Sequence, residues 1–350
     1  MPRVAGIDPG TLSLDVCGLD DGRPFLDATW PTAEILADPG PLIDTLLANG
    51  PLELIVGPSG YGLPPRPVRG VSDDELRLAF LAPAGETGGI GGLRSLARRL
   101  DAAGVPLWFT PGVIHLDTVP RHRKLNRVDL GTADKVCAAA LAIADQSARR
   151  RRPPDEVSLV LLELGGAFTA GLAVERGQIV DGLGGSSGPI GWRAAGALDG
   201  EVAFLAGETT KAMVFSGGVE TVIAHDPSLA TVALDAYLEG VIRTARQLLG
   251  AAPGADEIVL SGRMSSEPSV RDALVTALAE LANVQPLVGF AGRARQGAQG
   301  AALVADGLAG GTRRQLVDRM RIREATGTVL DHLYVITPAA ARRRLGLRDG

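Results

Sequence analysis

The stretch VAGIDPGTLSLDV, residues 4–16, decides the fold expected for this chain. An apolar run ends at Asp8, the chain turns through a Pro-Gly-Thr sequence, and an alternating segment leads away, which predicts a β-hairpin. Gly10 would let the backbone approach a ligand closely, and Thr11 and Ser13 offer hydroxyl donors. Asp8 is suited to hold a hydrated divalent cation. The hairpin is therefore a candidate phosphate-and-metal loop, provided that the rest of the chain supplies partners for it.

Length and composition predict a two-domain globular protein. The chain has 350 residues, of which 45% are hydrophobic and 21% charged. With only 4% aromatic residues and a net charge of −5, nucleic acid is not an expected partner. The 46 glycines indicate many turns and close backbone approaches.

The cysteines and the apolar runs predict a cytoplasmic location. Cys17 and Cys137 lie in no CxxC or Cys/His cluster, so buried free thiols in a reducing compartment are expected. No uncharged apolar run reaches the length of a membrane span, and Asp8 interrupts the only stretch resembling a signal-peptide core. We therefore expect neither a membrane partner nor a secreted protein.

The first half of the chain predicts strands and helices in alternation around the opening hairpin. The apolar run at 52–58 should form a strand parallel to the first, because a helix intervenes. Residues 59–92, rich in Gly and Pro, predict a long surface loop or flap. The other predicted elements are a strand at 23–30, helices at 31–50 and 93–103, a strand at 105–116, and a long Ala-rich helix that follows Asp129-Leu-Gly-Thr132.

The second half repeats the order of strands and glycine turns found in the first. A strand runs into a Glu163-Leu-Gly165-Gly166 turn, a second strand returns to an Arg176-Gly177 hairpin, and a third strand follows, which echoes residues 4–30. A duplicated domain is the simplest explanation. Ser261-Gly262-Arg263 forms another Gly turn at a strand end. The remaining predicted elements are helices at 231–250, 268–282 and 293–311, a strand at 283–290, and an appended helix and strand in the last 40 residues.

Two basic segments flank the long Ala-rich helix. Its four terminal arginines are predicted to be a solvated helix end that complements the helix dipole, and Pro153-Pro154 places a domain boundary there. The predicted domains are 1–153, 154–312 and a C-terminal extension at 313–350. The segment before the helix contains His122, Arg123 and Lys124, which either bind an anionic substrate or form a solvated basic loop.

The three Gly turns, in this order and spacing, resemble the phosphate 1, phosphate 2 and adenosine motifs of the actin, sugar kinase and heat-shock chaperone superfamily. The resemblance implies an α/β fold of duplicated ribonuclease-H-like domains that clamp ATP between paired hairpins, with Mg²⁺ oriented by acidic residues of the two loops. It implies metal contacts from Asp8 and Glu163. The implied nucleotide-binding residues are Asp8, Gly10, Thr11, Ser13, Gly165, Gly166, Thr169, Ser261, Gly262 and Arg263.

Part of the chain also resembles the acetate and butyrate kinases, and in particular a butyrate-kinase-like family. ELGGAFTAGLAVERGQIVDGLGGSSGPIGWRAAGALD is similar to their second phosphate motif and arginine-bearing loop, with Arg193 in the place of the catalytic arginine. The sequence departs from the acyl kinases at two positions. Glu163 stands where they have a histidine, and Asp8 stands where they have an asparagine. Dimerisation, usual among acyl kinases, is implied by the same resemblance.

Arg193, Asp199 and Asp134 are the candidate catalytic residues. A carboxylate acceptor is already a nucleophile, so its phosphorylation needs charge neutralisation, for which an arginine is suited. A structural Arg193–Asp199 salt bridge is the alternative. For an alcohol acceptor, Asp134 or Asp199 would be the base. His115, His225 and His332 lack ligand spacing, so no metal site is expected from them.

The expected function is an ATP- and Mg²⁺-dependent kinase for a small carboxylate or related metabolite. Two alternatives stay open within the same fold. One is a nucleotide-binding sensor or assembly protein whose ATP hydrolysis drives closure, and the other is an activase or hydantoinase-like enzyme.

Overall fold

The computed structural model describes residues 2–57, 59–83 and 90–347. Its first sheet has the strand order β3-β2-β1-β4-β6-β5. The hairpin expected at 4–16 is confirmed, because β1 and β2 pair antiparallel with Asp8 opposite Asp15. The strand expected to run parallel to it is confirmed as β4. The six strands are β1 (Arg3–Pro9), β2 (Ser13–Asp20), β3 (Arg23–Pro31), β4 (Leu54–Val56), β5 (Gly62–Pro67) and β6 (Leu107–Pro111).

The second sheet repeats the first in sequence order and pairing. Its strand order is β11-β10-β7-β8-β9, in which two antiparallel pairs are followed by two parallel ones. Read from β9 and numbered within its own half, the second sheet has the order 3-2-1-4-5. The first sheet has the order 3-2-1-4-6-5, so it differs only by β5, an additional edge strand that pairs antiparallel with β6. This match confirms the predicted duplication. The strands are β7 (Leu159–Leu164), β8 (Thr169–Glu175), β9 (Gln178–Leu183), β10 (Glu257–Ser261) and β11 (Asn283–Pro286).

Helices cover the sheets, and two of them lie centrally. The Ala-rich helix α6 contacts strands of both sheets and also α12, which packs on β1, β2 and β4. The helices are α1 (Thr32–Ala37), α2 (Gly40–Ala48), α3 (Asp73–Phe80), α4 (Ile90–Ala102), α5 (Arg121–Lys124), α6 (Ala133–Arg150), α7 (Gly200–Ala206), α8 (Lys211–Val214), α9 (Val219–His225), α10 (Ala230–Ala251), α11 (Pro268–Leu278), α12 (Gln296–Leu308), α13 (Arg314–Arg319) and α14 (Pro338–Arg344).

The close packing of α12 depends on glycines. A Cβ at Gly6 of β1 would overlap the backbone of Ala302, and a Cβ at Gly300 would overlap the carbonyl oxygen of Cys137 in α6. The small-residue helix therefore packs tightly on its neighbours, as its composition predicts. This contact brings a helix from the predicted second domain onto the first sheet. The division at 153 and 312 stays a prediction.

The structure corrects three local predictions. The helix expected at 31–50 is two helices, because Asp38-Pro39 separates α1 from α2. The loop expected at 59–92 contains β5 and also α3, which begins with a capping box at Ser72. Residues 84–89 of that loop lie outside the described residues. In the described part of the last 40 residues there are two helices and no strand.

The arginine run at the end of α6 is mostly exposed, as predicted, but two of its arginines also form ion pairs that the composition does not predict. Arg149 donates two hydrogen bonds to the carboxylate of Glu257, at 3.0 and 2.9 Å, and Glu257 is fully buried. Arg150 pairs with Asp256. These ion pairs fasten the end of α6 to the start of β10 in the second sheet. Arg149, like Arg151 and Arg152, is nevertheless exposed, as predicted.

The cores of the two halves are continuous. One buried cluster contains Val4 of the first sheet, Leu161 of the second, and most of the apolar face of α6. Cys17 and Cys137 are buried free thiols, as predicted. In the described ranges, no helix combines the length and the apolarity needed to cross a bilayer.

Candidate active site

The three predicted Gly turns meet at one cleft between the two sheets. Its volume is about 270 Å³. Because β7 and β10 are parallel and pair Glu163 with Ser261, the second and third turns lie side by side, opposite the first. The predicted residues that line this cleft are Asp8, Gly10, Thr11, Ser13, Asp134, Glu163, Gly165, Gly166, Ser261, Gly262 and Arg263.

The backbone geometry of the turns explains why glycines stand there. The N–H of Gly165 donates to the carbonyl of Phe168 at 2.9 Å, which closes the second turn. Gly262 has a φ of +84°, and a Cβ at this position would lie 2.6 Å from the carbonyl oxygen of Leu164. No other residue type adopts this conformation without strain.

A lysine occupies the centre of the acidic residues in the cleft. The ammonium of Lys135 lies 2.5 Å from Asp134 Oδ2 and 2.7 Å from Glu163 Oε2, and all three side chains are largely buried. Burial by itself would lower the pKa of Lys135, but the two carboxylates raise it far above its ordinary value. Lys135 is therefore a permanent cation that joins the start of α6 to the end of β7.

Asp8 is the carboxyl group with the most unfavourable surroundings in the cleft. Burial, followed by the charge of Asp134, raises the pKa of Asp8 to about 8, although Lys135 acts in the opposite direction. A carboxylate held in this environment at neutral pH is stabilised by a bound cation. Asp8 therefore fits the role of a metal contact, whereas the carboxylate of Glu163 is already neutralised by Lys135.

Two buried polar atoms of the cleft are available to a polar ligand. Asp15 Oδ1 and Ser261 Oγ line the cleft, are buried, and have no hydrogen-bond partner among the residues described. In those same residues, no group of three His, Cys, Asp or Glu side chains could hold a metal ion. Mg²⁺ commonly binds one or two carboxylates together with substrate phosphates, so a metal ion that accompanied a phosphate ligand would not need such a group.

The start of α12 also lines the cleft, and the sequence analysis did not find it. Arg295, Gln296 and Gly297 lie there, at the positive end of a 13-residue helix. Gly297 packs so closely on Asp8 that a Cβ would overlap its carboxylate. In the sequence, this part of the cleft is marked only by a glycine two residues after an arginine at a predicted helix start. Such a pattern is too common to identify a site.

The loop before α12 is held by Asp27 of β3. Its carboxylate accepts hydrogen bonds from the backbone N–H groups of Gly292, Arg293 and Ala294, at 2.7–2.9 Å for the shorter contacts. This contact crosses from the first sheet to the loop after β11. It fixes where α12 begins, and so where Gly297 meets Asp8.

Three predicted site residues do not reach the cleft surface. Thr169 is fully buried. Asp199 is exposed and caps the N-terminus of α7, where its side chain accepts hydrogen bonds from Glu201 and Val202. Arg193 lies in a neighbouring groove.

Arg193 forms a salt bridge, but not the one with Asp199 that was the alternative to a catalytic role. Its Nε donates to Glu220 Oε2 at 2.9 Å, and Asp199 is not its partner.

The groove that contains Arg193 adjoins the cleft. It has a volume of about 410 Å³ and shares Leu12, Gly166 and Arg263 with the cleft. Trp192 and Met264 give it an apolar wall. The two cavities thus place a polar pocket next to a groove with an aromatic side chain.

The basic segment before α6 is structural in part, whereas His122 is exposed, as expected of a solvated segment. Lys124 is buried and donates a 2.6 Å hydrogen bond to the carbonyl of Leu116. Arg123 donates to the carbonyl of Val180 at 2.8 Å. Neither residue lines the cleft.

Comparison with known proteins agrees with this architecture. Two duplicated sheets, each opened by a glycine-bearing hairpin on a shared cleft, are the fold of the actin, sugar kinase and heat-shock chaperone superfamily. The family model described as "Protein of unknown function (DUF1464)" matches residues 6–335, and the chain belongs to this family. No curated protein matches the chain.

Three solved structures share the fold at low sequence identity. A propionate kinase from Francisella tularensis subsp. tularensis SCHU S4 has a TM-score of 0.60 and 14% identity, over 86% of this chain and 99% of that one. An acetate kinase from Entamoeba histolytica has a TM-score of 0.57 and 12% identity, over 80% and 87%. The acetate kinase from Porphyromonas gingivalis has a TM-score of 0.54 and 12% identity, over 86% and 98%.

Proposed function

We propose that this chain is an ATP- and Mg²⁺-dependent phosphotransferase whose acceptor is a small carboxylate. The observation that supports this proposal most is the meeting of three Gly turns, Asp8 and the start of α12 at one cleft. Backbone N–H groups and a helix N-terminus bind phosphate oxygens, and phosphoryl transfer depends chiefly on such positioning and charge stabilisation.

In this proposal, the cleft and the groove hold different parts of the nucleotide. The glycine turns at Gly10, Gly165 and Gly262 surround the phosphates, and Asp8 holds the magnesium ion that accompanies them. The base lies in the adjoining groove against Trp192, because aromatic side chains stack on any base. Arg263, which lines both cavities, lies where the two parts of the ligand meet.

Lys135 removes an objection to phosphate binding beside Glu163. An isolated carboxylate at this position would repel a phosphate group. Because the ammonium of Lys135 lies 2.7 Å from Glu163 Oε2, the charge of Glu163 is compensated within the protein. A glutamate in place of the histidine of the acyl kinases is therefore compatible with a phosphate site.

The choice of a carboxylate acceptor rests on the named relatives and on chemistry. The three solved structures with this fold are described as acetate or propionate kinases. A carboxylate attacks phosphorus without a general base. For phosphoryl transfer to a carboxylate, the protein therefore needs only to orient the reactants, exclude water and supply positive charge. Arg263 and Arg295 line the cleft, and Arg193 lies in the groove beside it.

The test is ADP release from ATP-Mg²⁺ over a panel of short-chain acids, hydroxyacids and sugars. We expect release that depends on one of the acids. Asp8→Ala should abolish the rise in melting temperature produced by ATP-Mg²⁺, whereas Arg193→Ala should preserve that rise and lower turnover. Release that is indifferent to every acceptor would contradict the kinase, and absence of any nucleotide-dependent stabilisation would contradict nucleotide binding.

One observation favours a second candidate, an ATP-hydrolysing sensor or assembly protein. The short helix α7 exposes Phe204 and Leu205, which are 78% and 80% accessible. Exposed apolar side chains of this size are typical of contact surfaces. Acceptor-independent hydrolysis, lost together with self-association in Phe204→Ser, is the result expected of this candidate.

A further inference from the structure

The position of Lys135 is unusual for this chain. The sequence has lysine at only three positions, 124, 135 and 211, and otherwise uses arginine for positive charge. An ammonium is a compact cation, whereas a guanidinium is planar and wider. Lys135 is also the residue whose charge faces the acidic side chains of both phosphate loops. The Lys135 ammonium therefore lies at a position suited to a small cation.

The contacts of Lys135 resemble those of a bound cation. Its nitrogen lies between Asp134 Oδ2 and Glu163 Oε2, at 2.5 and 2.7 Å. The other oxygen of Asp134 accepts a hydrogen bond from the hydroxyl of Thr132. Asp134 is therefore fully engaged by the protein, and the pair of carboxylates is neutralised from one side by a charge that cannot diffuse away.

We propose that the Lys135 ammonium permanently occupies a cation position between Asp134 and Glu163, and so restricts the cleft to one divalent ion, at Asp8. This inference rests on the proposed function, because it concerns the metal that accompanies the nucleotide. Two carboxylates held close together without the ammonium would repel each other and attract a divalent ion. Lys135 also acts on Asp8, but its ammonium is in contact with Asp134 and Glu163. Asp8 therefore stays available to the ion that accompanies the phosphates.

The experiment measures the binding of Mn²⁺ alone to the full chain, by electron paramagnetic resonance and calorimetry without nucleotide. Replacing Lys135 by methionine retains the length of the side chain and removes its charge. We expect Lys135→Met to bind one more Mn²⁺ ion than the wild-type chain, or to bind Mn²⁺ at least tenfold more tightly. Lys135→Arg, which retains the charge but not the compact shape, should not bind the additional ion.

The double variant Lys135→Met/Glu163→Gln identifies the site. It should lose the additional ion, because one of the two carboxylates is then neutral. If Lys135→Met is folded, as shown by cooperative unfolding, and binds Mn²⁺ with wild-type number and affinity, the proposal is wrong. Retention of the additional ion in the double variant would also contradict it.

A measurement on the wild-type chain covers the case in which Lys135→Met does not fold. At saturating Mn²⁺ and a non-hydrolysable ATP analogue, one bound ion per chain is expected, and two would overturn the inference. Failure of the analogue to bind would contradict the proposed function alone. The inference would then be tested by titrating Lys135→Gln, a second uncharged variant, with Mn²⁺ without nucleotide, and the absence of an additional ion in that variant would overturn it.

Discussion

Gly297, at the start of α12, lies directly against the carboxylate of Asp8, at the end of β1, so that even a methyl group at position 297 would overlap Asp8 Oδ2. The two residues are far apart in the sequence and come from the two halves of the chain. Their contact links the predicted metal residue to a helix whose N-terminus faces the phosphate cleft.

Replacing Gly297 by alanine should therefore displace Asp8. We expect Gly297→Ala to reduce the increase in melting temperature produced by ATP-Mg²⁺, with a smaller effect on the free chain, because alanine itself favours the helix. Gly250→Ala in α10 is the matched control, since a Cβ there meets no atom within 4 Å. An unchanged ligand response in Gly297→Ala would mean that this contact does not position Asp8.

Asp27 should contribute to the loss of folding stability of the ligand-free chain at acid pH. Partial burial by itself would raise the pKa of Asp27, but three backbone N–H groups and Arg293 hold it below its ordinary value. A lowered pKa in the folded state stabilises the protein above the unfolded value and is lost as the pH falls through the folded value. Asp27→Asn should therefore flatten the fall in unfolding free energy below about pH 4, measured by urea denaturation at several pH values. A slope equal to that of the wild-type chain would contradict this role.

The contact between Arg149 and Glu257 should contribute measurably to stability. Arg149→Met removes two charge-assisted hydrogen bonds from a fully buried carboxylate, at an expected cost of about 2 kcal/mol in unfolding free energy. Arg243→Met is the control, because the Arg243–Glu239 pair is exposed, and its loss should cost less than about 1 kcal/mol. Equal effects of the two substitutions would show that the buried pair adds nothing beyond surface charge.

Trp192 provides a test of where the base binds. Trp192→Ala should weaken ATP binding by about 1–3 kcal/mol, the range typical of base stacking on an aromatic side chain. Binding of inorganic tripolyphosphate, which has no base, should not change, and this serves as the internal control in the same calorimetric titrations. Equal weakening of both ligands would indicate that the substitution disturbs the cleft as a whole.

The sequence predicted the site where its residues are local to a turn. Asp8 with Gly10, and Glu163 with Gly165, could be identified because each turn is specified by a few adjacent residues with particular conformational needs. Arg193 and Asp199 were predicted from their place in a loop, and the structure puts one in the adjoining groove and the other at a helix cap. The path of an irregular loop depends on distant packing, which a local pattern does not contain.

The sequence by itself determined the two hairpins, their repetition, and therefore the duplicated fold, because alternation of apolar residues and glycine turns act over a few residues. Only the tertiary structure decided which charges meet. Lys135 joins Asp134 to Glu163, Gly297 meets Asp8, and Asp27 holds the loop before α12. These pairings join elements that are distant in the chain, and they arise from the way that α6 and α12 pack between and across the two sheets.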